Sequence, residues 1–207
     1  MFFLTVLDPL TETSTIRERR HRQAGREILD AAWELAEETG IAGLSFREVA
    51  RAVGMQAPSL YTYFDSKDAL YDAMFAEGYR QLGEAVTEWT AQVEDLEPVD
   101  ALGTVIGLWI RFCQESIARY QIMFTRAIPG WSPSEAAYAV SANEYERMAR
   151  ALEPVGISRP EDLDLYTAVA SGLAAQQIAN DPRGDRWVRL AETAAHMLLD
   201  DIARRTR

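Results

Sequence analysis

Cysteine and lysine occur once each in the 207-residue chain, and histidine twice. Each scarcity excludes something. Cys113 alone cannot close an internal disulfide, so the stapled framework of a small secreted domain is not expected, and the expected compartment is the reducing cytoplasm. His21 lies among arginines and His196 in the last helical stretch. Neither has a nucleophile or metal partner nearby in sequence, so no enzyme, no metal and no cofactor is expected. No apolar run approaches the roughly 20 residues of a membrane span, so a membrane is not an expected partner. The apolar opening MFFLTVLDPL lacks a basic leader and a small-residue cleavage site, which favours a loose tail or an early start over a signal peptide. Strand alternation and internal repeats are absent.

What is present is a globular composition, 48% hydrophobic and 26% charged, rich in long Ala/Leu/Glu/Arg segments. That mixture predicts an all-α chain of about nine helices. A net charge of -11 argues against indiscriminate attachment to nucleic acid. The charge is unevenly placed, however. IRERRHRQAGR gathers Arg17, Arg19, Arg20, Arg22 and Arg26 against Glu18 alone. Residues 1–22 are therefore expected as a flexible basic arm, either solubilising or suited to phosphates.

A first helix is expected over 23–39, with Ile28, Ala31, Ala32, Leu35 and Ala36 on one face and Gly40 as its stop. SFREVARAVG predicts a short second helix, with Ser45 and Glu48 spaced for a capping box and Gly54 ending it. Pro58 fits a first helical position, so a third helix is expected over 58–64 with Leu60 and Phe64 inward. A long fourth helix should follow from Lys67, capped by Asp65 or Ser66. Two short helices joined by a glycine-containing turn make a helix-turn-helix, here within residues 23–68. Its second helix offers Ser59, Thr62 and Tyr63 outward, side chains that suit base edges and phosphates in a major groove.

Two cations break a local rule. Arg47 and Lys67 each fall in the first turn of a helix, where the dipole disfavours positive charge by roughly 0.3–1 kcal/mol. An external anion would compensate both, and helix N-termini already offer N–H groups to phosphate.

GLSFREVARAVGMQAPSLYTYFDSKDAL closely resembles the DNA-binding domain of TetR-family transcriptional regulators. Gly43, Ser45, Val49, Ala50, Gly54, Leu60, Tyr61, Tyr63, Phe64, Ser66, Lys67 and Leu70 fit the family pattern, over about a quarter of the chain. The resemblance implies a DNA-binding head whose partner is double-stranded DNA. Ser45 and Arg47 would meet the backbone; Gln56, Ala57, Pro58 and Ser59 would face the groove. Tyr61, Thr62, Tyr63 and Lys67 would hold phosphates, with Arg17, Arg19 and Arg20 contributing from the arm. Met55 and Gln56 depart from the usual residues and bear on the operator sequence rather than the fold.

The resemblance also implies a helical body, residues 69–207, that dimerises and binds a small effector. A homodimer surface is expected from Ala168, Gly172 and Ala175 with Val188, Ala191, Ala195, Leu198, Leu199 and Ile202, unless these stripes pack inside one subunit. An effector pocket is expected around Trp109, Phe112, Phe124, Trp131, Tyr138, Tyr145 and Gln176, for an apolar or aromatic molecule. Repression, with release by the effector, is the family's common mode. An activator, or a DNA-binding protein without an effector, is the alternative.

Overall fold

Helix formation begins earlier than the first apolar stripe suggests. In the computed structural model, which describes residues 15–205, Thr15 and Glu18 close a capping box. The Glu18 N–H donates to Thr15 Oγ1 at 3.2 Å, and the Thr15 N–H donates to Glu18 Oε2 at 2.8 Å. Helix α1 (Ile16–Thr39) therefore absorbs residues 16–22, expected as a flexible arm, into its first turns. The apolar opening lies outside the described residues. α1 buries Ile28, Ala32 and Ala36, and ends at Gly40, whose φ of +78° favours glycine.

A short turn over Ile41–Gly43 leads to α2 (Phe46–Ala52). The expected Ser45–Glu48 capping box does not close. Ser45 takes the N-cap position with no side-chain capping bond, and Glu48 lies 3.8 Å from Arg51 instead. Helix α3 (Ala57–Leu60) is shorter than the expected 58–64 and starts one residue earlier, with Pro58 in its first turn. Residues 61–63 continue as a tighter turn, in which the Thr62 and Tyr63 N–H groups donate to Ser59 and Leu60 carbonyls. Two aromatic contacts accompany that tightening: Tyr61 lies 4.9 Å from Phe46, and Tyr63 stacks on His21 at 4.6 Å. Fully buried Leu60 anchors the short helix to the core.

α4 (Lys67–Val93) carries the chain from head to body. Ser66 caps it, accepting from the Ala69 N–H at 3.0 Å. At the junction, the Tyr71 hydroxyl donates to the Ile41 carbonyl at 3.2 Å, and Trp131 meets the edges of Tyr71 and Phe75. A second tie runs from α1: Glu37 Oε1 accepts from the Ser116 hydroxyl and from the Ala118 N–H, the latter at 3.2 Å.

The body adds α5 (Pro98–Glu115), α6 (Ile117–Phe124), α7 (Glu135–Leu152), α8 (Pro160–Asn180) and α9 (Ala191–Arg205). α5 is the central helix, buried through Leu102, Ile106, Trp109, Ile110 and Cys113 and packed mainly against α9 and α8. Gly103 lets α9 approach closely: a Cβ there would lie 3.2 Å from Glu192 Cα. α7 lies along α4. Burial pushes the Cys113 thiol up to about 12, so it acts as a small hydrophobe. No described helix is long and apolar enough to cross a membrane.

Two buried polar groups fix the α8–α9 pair. Gln177 accepts from the Trp187 N–H at 2.8 Å and donates to the carbonyls of Asp181 and Gly184, which pins the DPRGD turn. Asp162, 1% exposed, takes Arg159 at 2.8 Å from the N-cap of its own helix and Arg205 at 2.8 Å from the end of α9. Hydrogen bonding from Arg159, then from Arg205, holds the Asp162 carboxyl below the ordinary carboxylate range despite burial.

Candidate DNA-binding face and ligand cavity

The head brings the sequence-expected contacts to its surface. Arg17, Arg19, Arg20, Arg47, Gln56, Pro58, Ser59, Tyr61 and Thr62 are exposed; Ser45, Ala57, Tyr63 and Lys67 are half-buried. The His21–Tyr63 stack holds the arginine-rich start of α1 against the turn that follows α3. Arg19, Arg20, Arg22 and Arg26 line one shallow concavity along α1 with Ile16 and Gln23. Lys67 is the first residue of α4. Its ammonium lies 5.1 Å from the centre of the Tyr71 ring and makes no ion pair among the described residues. Ser45 keeps its hydroxyl uncommitted to the helix it precedes.

Each feature has a local cause. Leu60 is drawn inward, so the residues around it on a four-residue helix are left outward. Gly54, at φ +69°, makes the turn that presents α3. The arginines sit on the early turns of α1 because the Thr15 cap starts the helix there.

In the body, a cavity of about 510 Å³ lies among α4 to α8. Four expected residues line it: Trp109, Phe124, Tyr138 and Tyr145. Three do not. Phe112 is spent in packing between Trp89 and Trp109, with the Arg119 guanidinium 3.7 Å from its ring centre. Trp131 sits at the head–body junction. Gln176 is exposed and accepts from Asn180 at 3.0 Å. The lining adds residues the sequence reading missed, notably Tyr79, Glu144, Tyr166 and Ser171. Tyr166 was visible as the one aromatic in an otherwise small-residue helix; Glu144 carried no signal. Burial, then the nearby Tyr138, raises Tyr79 to about 12, and burial raises Tyr166 as well, so both phenols stay neutral.

The expected dimer stripe divides. Ala191, Ala195 and Leu198 are buried within the protomer, because α9 turns that side to α5. Ala168 and Gly172 are exposed; Ala175, Val188, Leu199 and Ile202 are half-buried. Beside them runs an apolar groove between α8 and α9, lined by Leu165, Val169, Leu173, Leu190 and Met197. Met197 is 68% exposed.

Residues 28–74 match the family model described as bacterial regulatory proteins, tetR family. An HTH-type transcriptional regulator of Mycobacterium tuberculosis is 33% identical over 106 residues, covering 51% of this chain and 52% of the relative. The class D tetracycline repressor of Escherichia coli is 46% identical over 50 residues, 24% of this chain and 23% of that protein. The chain thus spans about half or less of the length of these curated relatives. The fold is shared with the Bacillus subtilis regulator FadR, solved in complex with stearoyl-CoA: TM-score 0.62 at 17% identity, covering 84% of this chain and 96% of that one.

Proposed function

We propose that this chain, which belongs to the tetR family of bacterial regulatory proteins, is a homodimeric repressor released from a near-palindromic operator by a small lipophilic effector. The observation that carries the reading is the head. Ser59 on α3 stands outward with Gln56 before the helix and Thr62 after it, and cations flank them at Arg47, Lys67 and the start of α1. Base edges would be read by Gln56, Ala57, Pro58 and Ser59, and phosphates held by Ser45, Arg47, Tyr61, Thr62, Tyr63 and Lys67. Two-fold symmetry would set the heads one or more turns apart, at roughly 34–36 Å per turn.

The outer faces of α8 and α9 support the dimer. Leu165, Leu190 and Met197 are large apolar side chains exposed along one groove, and a self-complementary packing would cover them. The cavity supports the effector, and FadR with stearoyl-CoA offers a precedent for a lipophilic one in this fold. An effector must favour a head arrangement that fits DNA poorly. α6 is placed to couple the two: Phe124 at one end lines the cavity, and Ala118 at the other holds Glu37 of α1.

Equilibrium binding of the purified protein to DNA just upstream of its own gene, against scrambled DNA at two salt concentrations, tests the reading. Site-selective binding lost in Lys67→Ala and Tyr63→Ala supports it. Equal weak binding to both DNAs, followed by no enriched site in a selection from random DNA, refutes a sequence-specific regulator.

A further inference from the structure

We propose that the body cavity selects a lipophilic organic cation and discriminates against organic anions. The inference rests on the cavity being the effector site and specifies the class of molecule it takes. Charge is the first observation. Among the described residues, the only ionisable acids or bases in the lining, tyrosines aside, are Glu144 and Glu146, and no lysine, arginine or histidine lines it. Arg147 lies 2.8 Å from Glu144, but it also donates to Thr87 at 2.9 Å, which holds it to α4 and outside the lining. Arg150 stands 3.8 Å from Glu146, likewise outside. Both lining carboxylates are ion-paired, but neither arginine lines the space, so an entering anion would meet no facing cation.

The rings are the second observation. Tyr79, Trp109, Phe124, Tyr138, Tyr145 and Tyr166 place six aromatic side chains around one space. Aromatic faces attract cations, most strongly where water is excluded. Tyr138 and Tyr145 are the exposed pair, at 62% and 43%, so they stand where an entering molecule is first met. With Tyr79 and Tyr166 held neutral, the cage offers quadrupoles rather than phenolates.

Tetraphenylphosphonium and tetraphenylborate have nearly the same shape and opposite charge, so equilibrium dialysis of both against the full chain isolates the electrostatic preference. The expected result is a Kd at least about tenfold lower for the phosphonium, with the ratio shrinking in Glu144→Gln/Glu146→Gln. Neutral triphenylphosphine oxide, also built of aryl rings on one central atom, separates lipophilicity from charge and is expected to bind more weakly than the phosphonium and more tightly than the borate. Equal or tighter binding of the borate overturns the cation assignment while leaving the effector cavity standing. Failure of all three probes to bind refutes the cavity as an effector site, and this inference with it.

Discussion

Replacing Lys67 with glutamine separates two things a lysine can do, because the structure lets both be sized. Within the folded head its ammonium sits 5.1 Å from the Tyr71 ring, a contact worth about 0.5–1 kcal/mol at a partly open site. It is also a cation at the first position of α4, which costs about 0.3–1 kcal/mol against the helix dipole. The two nearly cancel. The thermal midpoint should therefore move by no more than about 2–3 °C, given roughly 2–4 °C per kcal/mol for a chain of this size. On DNA nothing cancels. Each phosphate contact contributes about 0.9 to the slope of log K against log salt. A dimer carries two copies, so Lys67→Gln should flatten that slope by about 1.8. Between 50 and 200 mM salt the parent chain would lose about twelvefold more affinity than the variant. Fluorescence anisotropy on a fixed DNA duplex across that range measures the slope, and a thermal melt measures the fold. An unchanged slope with an unchanged melt would remove Lys67 from the DNA interface. A melt lowered by 6 °C or more would show that its role is in holding the head together.

Other perturbations have equally definite outcomes. Leu60→Ala empties a fully buried position in the head and should cost about 2–5 kcal/mol, seen as lost DNA binding and faster amide exchange in α1–α3. Gly103→Val should lower the thermal midpoint, because its Cβ meets the backbone of Glu192 and overpacking of this kind costs about 1–3 kcal/mol. Asp162 has a lowered folded-state value, so its stabilisation is complete above the unfolded carboxylate value of about 3.9 and is lost as pH falls through the folded value. Asp162→Asn should accordingly flatten the acid limb of the melting profile, and a limb of unchanged steepness would count against this ion-pair triad. Met197→Glu leaves a residue that is 68% exposed in the protomer free to ionise, so the protomer should stay folded while the proposed dimer dissociates in sedimentation.

Much of the fold was legible because caps and periodicity agree. Ser66 and Ser134 begin α4 and α7 as capping residues do, and the all-round apolar stretch after Pro98 is the central helix. Two boundaries misled for physical reasons. The Ser45–Glu48 spacing suits a capping box, yet Glu48 lies toward Arg51, while the box that does close, Thr15–Glu18, is hidden in a basic run. In α8, small residues occur on every side, so the sequence does not orient it: Ala170 and Ala174 face inward, whereas Ala168 and Gly172 face out. The exposed positions of the head were readable from motif spacing. The cavity was half readable, since aromatic content does not tell Phe112 and Trp131, which pack, from Tyr79 and Tyr166, which line a space.

The brevity of α3 has an evolutionary consequence. Of its four residues, one side chain, Leu60, is committed to the core, while Pro58 and Ser59 point outward beside the exposed Gln56. A helix so short inherits its position from its neighbours rather than from its own hydrogen bonds. Outward residues can then drift with little penalty to the scaffold, and, under the proposed function, a duplicated copy of this gene could acquire a new address on the chromosome by a few neutral steps. The proline limits that freedom to side chains: it keeps the backbone geometry constant while the vocabulary on it changes.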